Sequence, residues 1–408
     1  MSVEARDGAI VKAMRYLDKE IWKLQELGSP RRQFTMAVMG WAYLLAADKP
    51  KDGGKKLPSR KKQLVRLRKE LLRYAESVAR LYERADKKSR KKKKKRQPKP
   101  GLQPGFPSDF NAFRAAQYTW PLSIAAQFFT ESAARGKQRG QAREALKAIV
   151  RVLEASQQPD GGWGHDDAAR PGMGLPPIRI PKPGGGKHEY PGTLLAASHC
   201  ALSGLGVAKR SLKSRKQKSL ELGRAYFKQS QNGDGTFPYD PAQKHDAGIR
   251  GGMAGGIEAA RASGAAFALF CAGASRDDPV ACRALDAVDR SPELLSEGHG
   301  SATLALMFGA LLSRARGKET WNVFRRIYLP RILAEQEENG AFTCVCKHAS
   351  PGVTCDTRPI PGMPGAASYA EQQKVYVTAI HTLILLLDRA EARALPEMPS
   401  PRGPSSGK

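Results

Sequence analysis

Gln157-Gln158-Pro159-Asp160-Gly161-Gly162-Trp163 is one of three copies of a single pattern. The others are Gln231-Asn232-Gly233-Asp234-Gly235-Thr236-Phe237 and Gln336-Glu337-Glu338-Asn339-Gly340-Ala341-Phe342. The common form is Gln, two variable residues, Asp or Asn, Gly, one variable residue, and Trp or Phe. An Asp-Gly or Asn-Gly pair after the last turn of a helix supplies a residue tolerant of positive φ, which ends the helix and reverses the chain. The aromatic residue can then pack back between neighbouring helices, while the Gln amide satisfies exposed helix-end groups. On this reading Gln157, Asp160, Gly161, Trp163, Gln231, Asp234, Gly235, Phe237, Gln336, Asn339, Gly340 and Phe342 are structural staples rather than catalytic groups.

Outward from these turns, helical periodicity dominates and no alternating strand pattern with hairpin turns is legible. Residues 8–26 carry Ile10, Ala13, Met14, Leu17, Ile21 and Leu24, a one-sided stripe that predicts a half-exposed helix. Residues 33–47 are apolar on nearly every face and predict a buried one. The alternation continues with one-sided segments near 61–86, 139–156, 216–231, 278–290 and 319–337, and all-round apolar segments near 110–131, 191–207, 257–274, 299–314 and 373–388. Pro121 falls where it would kink or restart the fourth. An inner helix touches neighbours on most sides and an outer one faces water, so the alternation predicts an all-α chain of six helical hairpins in two concentric rings, an (α/α)6 toroid. A non-closing array of helical pairs would need every helix one-sided.

The repeated turn resembles the QW repeat of the squalene-hopene cyclase, oxidosqualene cyclase and protein prenyltransferase superfamily, whose shared fold is an (α/α)6 toroid. The resemblance covers residues 130–390; the first two hairpins match by helix pattern alone. The superfamily's chemistry transfers poorly. Its cyclases protonate substrate with an Asp-x-Asp-Asp acid, and this chain has no such tetrad: Asp166-Asp167 and Asp277-Asp278 lack the spacing. Aromatic residues make up 7% of the chain, thin for a cavity that stabilises carbocations. Protein prenyltransferases hold zinc with an Asp, a Cys two residues later, and a His that begins an inner helix. His199-Cys200 resembles the last of these without the first two. The Cys-His-Gly motif of lanthionine cyclases survives here only as His299-Gly300.

One metal-like group remains, Cys344, Cys346, His348 and Cys355. Thiolates and an imidazole in a 12-residue loop can close a tetrahedral zinc site, and Cys344 with Cys355 can equally form a disulfide or stay reduced. In a toroid, the loops running from outer to inner helices lie on one rim. The long Gly- and Pro-rich ones, 159–189, 232–256 and 338–372, hold His165, Asp166, Asp167, His188, His245 and Asp246, which with His299, at the start of the apolar segment 299–314, would ring that mouth. These are the candidate catalytic residues. His199 and His381, inside apolar helices, read as hydrogen-bonded core residues. The function this supports is ligand binding or scaffolding at the toroid mouth, for a small or extended ligand. The alternative is an enzyme of the same fold, zinc-dependent and prenyltransferase-like or a hydrolase or lyase, using the rim His and Asp.

The chain is strongly basic, with 68 Lys and Arg against 39 Asp and Glu, a formal charge of +29. Residues 51–100 hold 22 of the basic and 5 of the acidic residues, so this stretch carries +17 and the remainder +12. The peak, Lys87–Arg96, has nine basic residues in ten. Like charges at that density repel, which predicts a solvated loop over 87–100 inside a basic insertion, 49–108. A second cluster spans Lys209–Lys218. The run can be a footprint for an anionic partner, nucleic acid or an acidic surface, or a solubilising loop; the lack of stacking aromatics favours the latter. The toroid is expected over 1–392 and a disordered tail over 393–408. No run of apolar residues is long enough to span a bilayer, and the charged first residues lack a secretory h-region, so a cytoplasmic protein with reduced thiols is expected.

Overall fold

The computed structural model describes residues 2–24, 30–48, 50, 54, 56–93, 118–136, 138–164, 179–181, 187–189, 193–239, 241, 253–297, 301–345, 366–396 and 398. Among them are twelve α-helices: α1 Val3–Glu20, α2 Pro30–Ala46, α3 Lys61–Lys93, α4 Thr119–Ala134, α5 Arg139–Ser156, α6 Leu195–Leu212, α7 Lys218–Ser230, α8 Met253–Cys271, α9 Pro279–Arg290, α10 Ala302–Ala315, α11 Lys318–Ala334 and α12 Ala366–Arg389. Ordinary capping chemistry starts several of them. Ser2 accepts from the Ala5 N–H, Ser301 from that of Leu304, and Asp278 from those of Val280 and Ala281 with Pro279 at the first helical position. Asp278, one of the paired acids, is therefore a helix cap. Pro121 sits in the first turn of α4, where a missing N–H costs little. No helix among the described residues is long and apolar enough to cross a membrane.

Burial follows the alternation. In α2, α4, α6 and α10 almost every position is buried, whereas α5, α7 and α9 bury one face each. The apolar helices pack in chain order, α2 on α4, α4 on α6, α6 on α8, α8 on α10 and α10 on α12. The last of them, α12, packs on α2. The one-sided helices lie against these: α3 on α2 and α5, α5 on α4 and α6, α7 on α6, α9 on α8, α11 on α10, and α1 on α12. Small residues let backbones meet inside the apolar set. A Cβ on Gly204 of α6 would strike the Ser123 backbone of α4, and one on Gly40 of α2 would meet the Phe128 ring at 2.9 Å.

Buried charges tie the first helix to the last. Arg6 Nη1 donates to Asp388 Oδ2 at 2.8 Å, Asp7 takes both Arg6 and Arg389, and Trp321 Nε1 donates to the other Asp388 oxygen at 2.9 Å. Arg6, Arg389 and Asp388 are almost wholly shielded, so their neutralisation must be internal.

Three expectations are corrected. The start of the poly-Lys segment is not a loop: residues 87–93 continue α3, which is 33 residues long. Its repulsion is insufficient to stop a helix already propagating from a packed stem. The rest of that segment, 94–100, lies outside the described residues, as does 110–117. The chain after 392 is not all tail. Ala394 is fully buried, its N–H donating to Glu131 Oε2 at 2.8 Å and its carbonyl accepting from Arg210 Nη2 at 2.8 Å, and Met398 is buried. These residues cross the C-terminal ends of α4 and α6, where Glu131 and Arg210 offer partners that composition did not reveal. A short antiparallel pair, β1 Arg179–Pro181 and β2 Lys187–Glu189, with Ile180 opposite His188, stands where no strand was legible. Three residues per strand are too few for a period to show.

Candidate functional site

The three repeated turns have one geometry. Gln157 Nε2 donates to the Gly161 carbonyl at 2.9 Å and to that of Ser219 at 2.8 Å. Gln231 Nε2 reaches Gly235 at 3.2 Å and Val280 at 2.9 Å, and Gln336 Nε2 reaches Gly340 at 3.3 Å and Ala9 at 2.9 Å. Asp160, Asp234 and Asn339 each accept, through Oδ1, from the N–H two residues on, at 2.9, 2.9 and 2.7 Å. The glycines have φ of +91°, +88° and +94°. A Cβ on any of them would overlap a backbone carbonyl, that of Leu222, Arg283 or Lys12. Each of these lies three residues after the carbonyl the Gln holds, so every turn docks in the same register on a one-sided helix: the first on α7, the second on α9 and the third on α1. Trp163, Phe237 and Phe342 are fully buried. The Trp163 N–H donates to Ser198 Oγ of α6 and that of Phe342 to Thr378 Oγ1 of α12, both at 2.8 Å. The Gln amides thus bridge two helices, a role the sequence reading assigned only to local helix ends.

Of the candidate catalytic residues, His165, Asp166, Asp167, His245, Asp246 and His299 lie outside the described residues, and His188 is placed only as a backbone position in β2. Of the zinc group, Cys346, His348 and Cys355 lie outside as well. Cys344 is buried, its sulfur accepting from Thr303 Oγ1 at 3.6 Å. Among the described residues no three His, Cys, Asp or Glu gather as a metal would need.

What the described residues do bring together is a set of buried side chains on α6, α8 and α10. Arg261 and Glu258, one turn apart on α8, are both buried. Arg261 Nη1 donates to the Phe237 carbonyl at 2.9 Å, the guanidinium lies 5.6 Å from the Tyr239 ring centroid, and its Nε has no hydrogen-bond partner. Asn232 Nδ2 is 3.4 Å from Glu258 Oε2. Burial pushes the Arg261 pKa down to about 10 against the pull of Glu258, so it stays cationic at neutral pH. One turn deeper on α8, Gly264 leaves room for the His199 ring of α6; a Cβ there would sit 2.7 Å from its Cε1. His199 meets Phe308 of α10 edge-on at 4.6 Å between centroids, and Phe308 meets Phe267 of α8 at 5.9 Å. Burial first, and the Arg261 charge second, hold the His199 pKa down near 3, and its Nε2 has no partner.

A second core histidine, His381, lies on α12. It is fully buried against Phe342, ring centroids 5.5 Å apart, with neither nitrogen hydrogen-bonded and its pKa lowered to about 3 by burial. The two core histidines are therefore buried as expected, and neither His381 nor the His199 Nε2 has the hydrogen bond expected of it. Arg261 and Glu258 were missed. The signal for them was present: two opposite charges at i, i+3 inside an otherwise apolar 19-residue helix.

Neither a protein-family model nor a curated protein matches this chain.

Proposed function

We propose that the chain is a closed (α/α)6 toroid of the squalene-cyclase and prenyltransferase type, divergent in its site, that acts as a ligand-binding or scaffold protein at the end where its inner helices begin. Closure is supported by α12 packing on α2 and by the third turn docking on α1 in the register of the first two. The binding role rests on one observation above the rest: the buried, cationic Arg261, with an unpartnered Nε, stands one turn above the aromatic floor formed by His199, Phe267 and Phe308. A cation over an aromatic floor suits a ligand with an anionic head and an apolar body.

Anilinonaphthalene sulfonate, which has such a head and body, is a fitting probe. Saturable fluorescence enhancement is expected with the wild-type protein and at least a tenfold weaker Kd with Arg261→Met, at unchanged far-ultraviolet circular dichroism. Equal binding by the variant would remove the site from this end of the helices.

A further inference from the structure

The far end of α3 is strongly basic. Up to Tyr82 the helix is held by the body: Ala75, Val78, Ala79 and Tyr82 are buried, and Tyr82 meets the Tyr118 ring edge-on at 5.6 Å with their hydroxyls in contact. Glu83 pairs with Arg151 of α5 at 2.8 Å. After Tyr82 the only apolar residue before the helix ends is Ala85, yet the helix runs on to Lys93. Three of the four acidic side chains of the helix pair before the basic run, Glu70 with Arg73, Glu76 with Arg80 and Glu83 with Arg151; the fourth, Asp86, immediately precedes the run. From Lys87 to Lys93 six of seven residues are basic, and no acidic residue follows before residue 108. A helix turns through a full circle every 3.6 residues, so a stretch this dense has no uncharged face. The remaining chain outside 51–100 is itself net positive.

We propose that this end of α3 is a nucleic-acid-binding element directed at the phosphates of a duplex. A helix about 10–12 Å across matches a major groove about 12 Å wide, and an all-round basic surface meets phosphates on both walls. Single strands are usually held on aromatic platforms, and residues 83–105 contain no Phe, Trp or Tyr. A membrane-surface helix presents an apolar face to sink below the headgroups, and this one has none. The second basic cluster is less available: Lys209 is buried, pairs with Glu154 at 2.6 Å and donates to Ser219 Oγ.

The test uses the full chain, a 20-base-pair duplex of arbitrary sequence, and vesicles containing phosphatidylserine. Duplex binding at 50 mM salt is expected to weaken by about 10³-fold at 200 mM salt, as six phosphate contacts require. Replacing Lys87, Lys88, Arg90, Lys91, Lys92 and Lys93 by Gln should abolish binding at an unchanged melting temperature, and replacing the five lysines by Arg should retain it. Undiminished duplex binding by the Gln variant, vesicle binding without duplex binding, or no duplex binding at 50 mM salt would each overturn the proposal.

Discussion

The side-chain amide of Gln336 donates to the backbone carbonyl of Ala9 at 2.9 Å, joining residues 327 positions apart. Gln157 and Gln231 make the same bond to Ser219 and Val280, 62 and 49 positions ahead. The third copy reaches backwards, to the first helix of the chain. If the three are equivalent, Gln157→Ala, Gln231→Ala and Gln336→Ala should each cost about 1–2 kcal/mol of unfolding free energy in urea. A Gln336→Ala effect near zero beside substantial effects of the other two would show that the third turn is undocked.

The turn glycines allow a sharper test. Gly340→Ala forces an L side chain to φ of +94° and drives its Cβ into the Lys12 carbonyl. The expected loss is at least about 2 kcal/mol, measured by chemical denaturation. Gly8→Ala, on α1 with nothing within 4 Å of its Cβ, should leave stability unchanged or slightly raised.

The Arg6 to Asp388 pair makes a prediction at the other end of the helices. Asp388→Ala removes the acceptor of both Arg6 Nη1 and Trp321 Nε1 and leaves Asp7 to neutralise Arg6 and Arg389 alone. A loss of about 3 kcal/mol is expected. Removal of residues 1–20 should destabilise the chain at least as much, read as an earlier urea midpoint.

Stability should also fall in acid through the buried histidines. The folded-state pKa of His381 is near 3 while an unfolded histidine titrates near 6.5, so the unfolded chain takes up a proton that the folded chain resists. The contribution is intact above about pH 6.5 and is lost as pH falls toward 3, by about 1.4 kcal/mol per unit. Going from pH 7 to pH 5, wild-type protein should lose about 2 kcal/mol more than His381→Leu. Identical losses would mean that the ring is solvated or hydrogen-bonded.

Much of the fold was legible because burial writes itself into periodicity. Each of the twelve segments overlaps a helix, with ends displaced by five or six residues at 8–26 against Val3–Glu20, and the one-sided or all-round pattern of segments such as 139–156 and 33–47 matched the faces they bury. The helical continuation through Lys87–Lys93 was not legible, since local repulsion argues against it and only the docked stem up to Tyr82 supplies the nucleus. The buried set was half legible. His199 stood out, whereas Arg261 and Glu258 were hidden in an apolar segment whose average masked two charges that make sense only once α6 and α10 are beside them. The order in which the Gln amides bridge helices could not be read at all, because Ala9, Ser219 and Val280 contribute backbone carbonyls, which any residue has.

The central claim is that the first and last hairpins meet. The Lys12 backbone borders the Gly340 turn and Lys374 pairs with Glu337 of that turn at 2.8 Å, so both residues flank one loop. Six hairpins in an open array, each about 8–10 Å from the next, would instead part them by about 50 Å. Amine cross-linking with a reagent shorter than two helix diameters, about 20 Å, followed by peptide mass spectrometry, separates these cases. A Lys12 to Lys374 cross-link within single chains at high dilution is the predicted result. Its absence, with both lysines modified and linked only to neighbours within their own hairpins, would contradict closure.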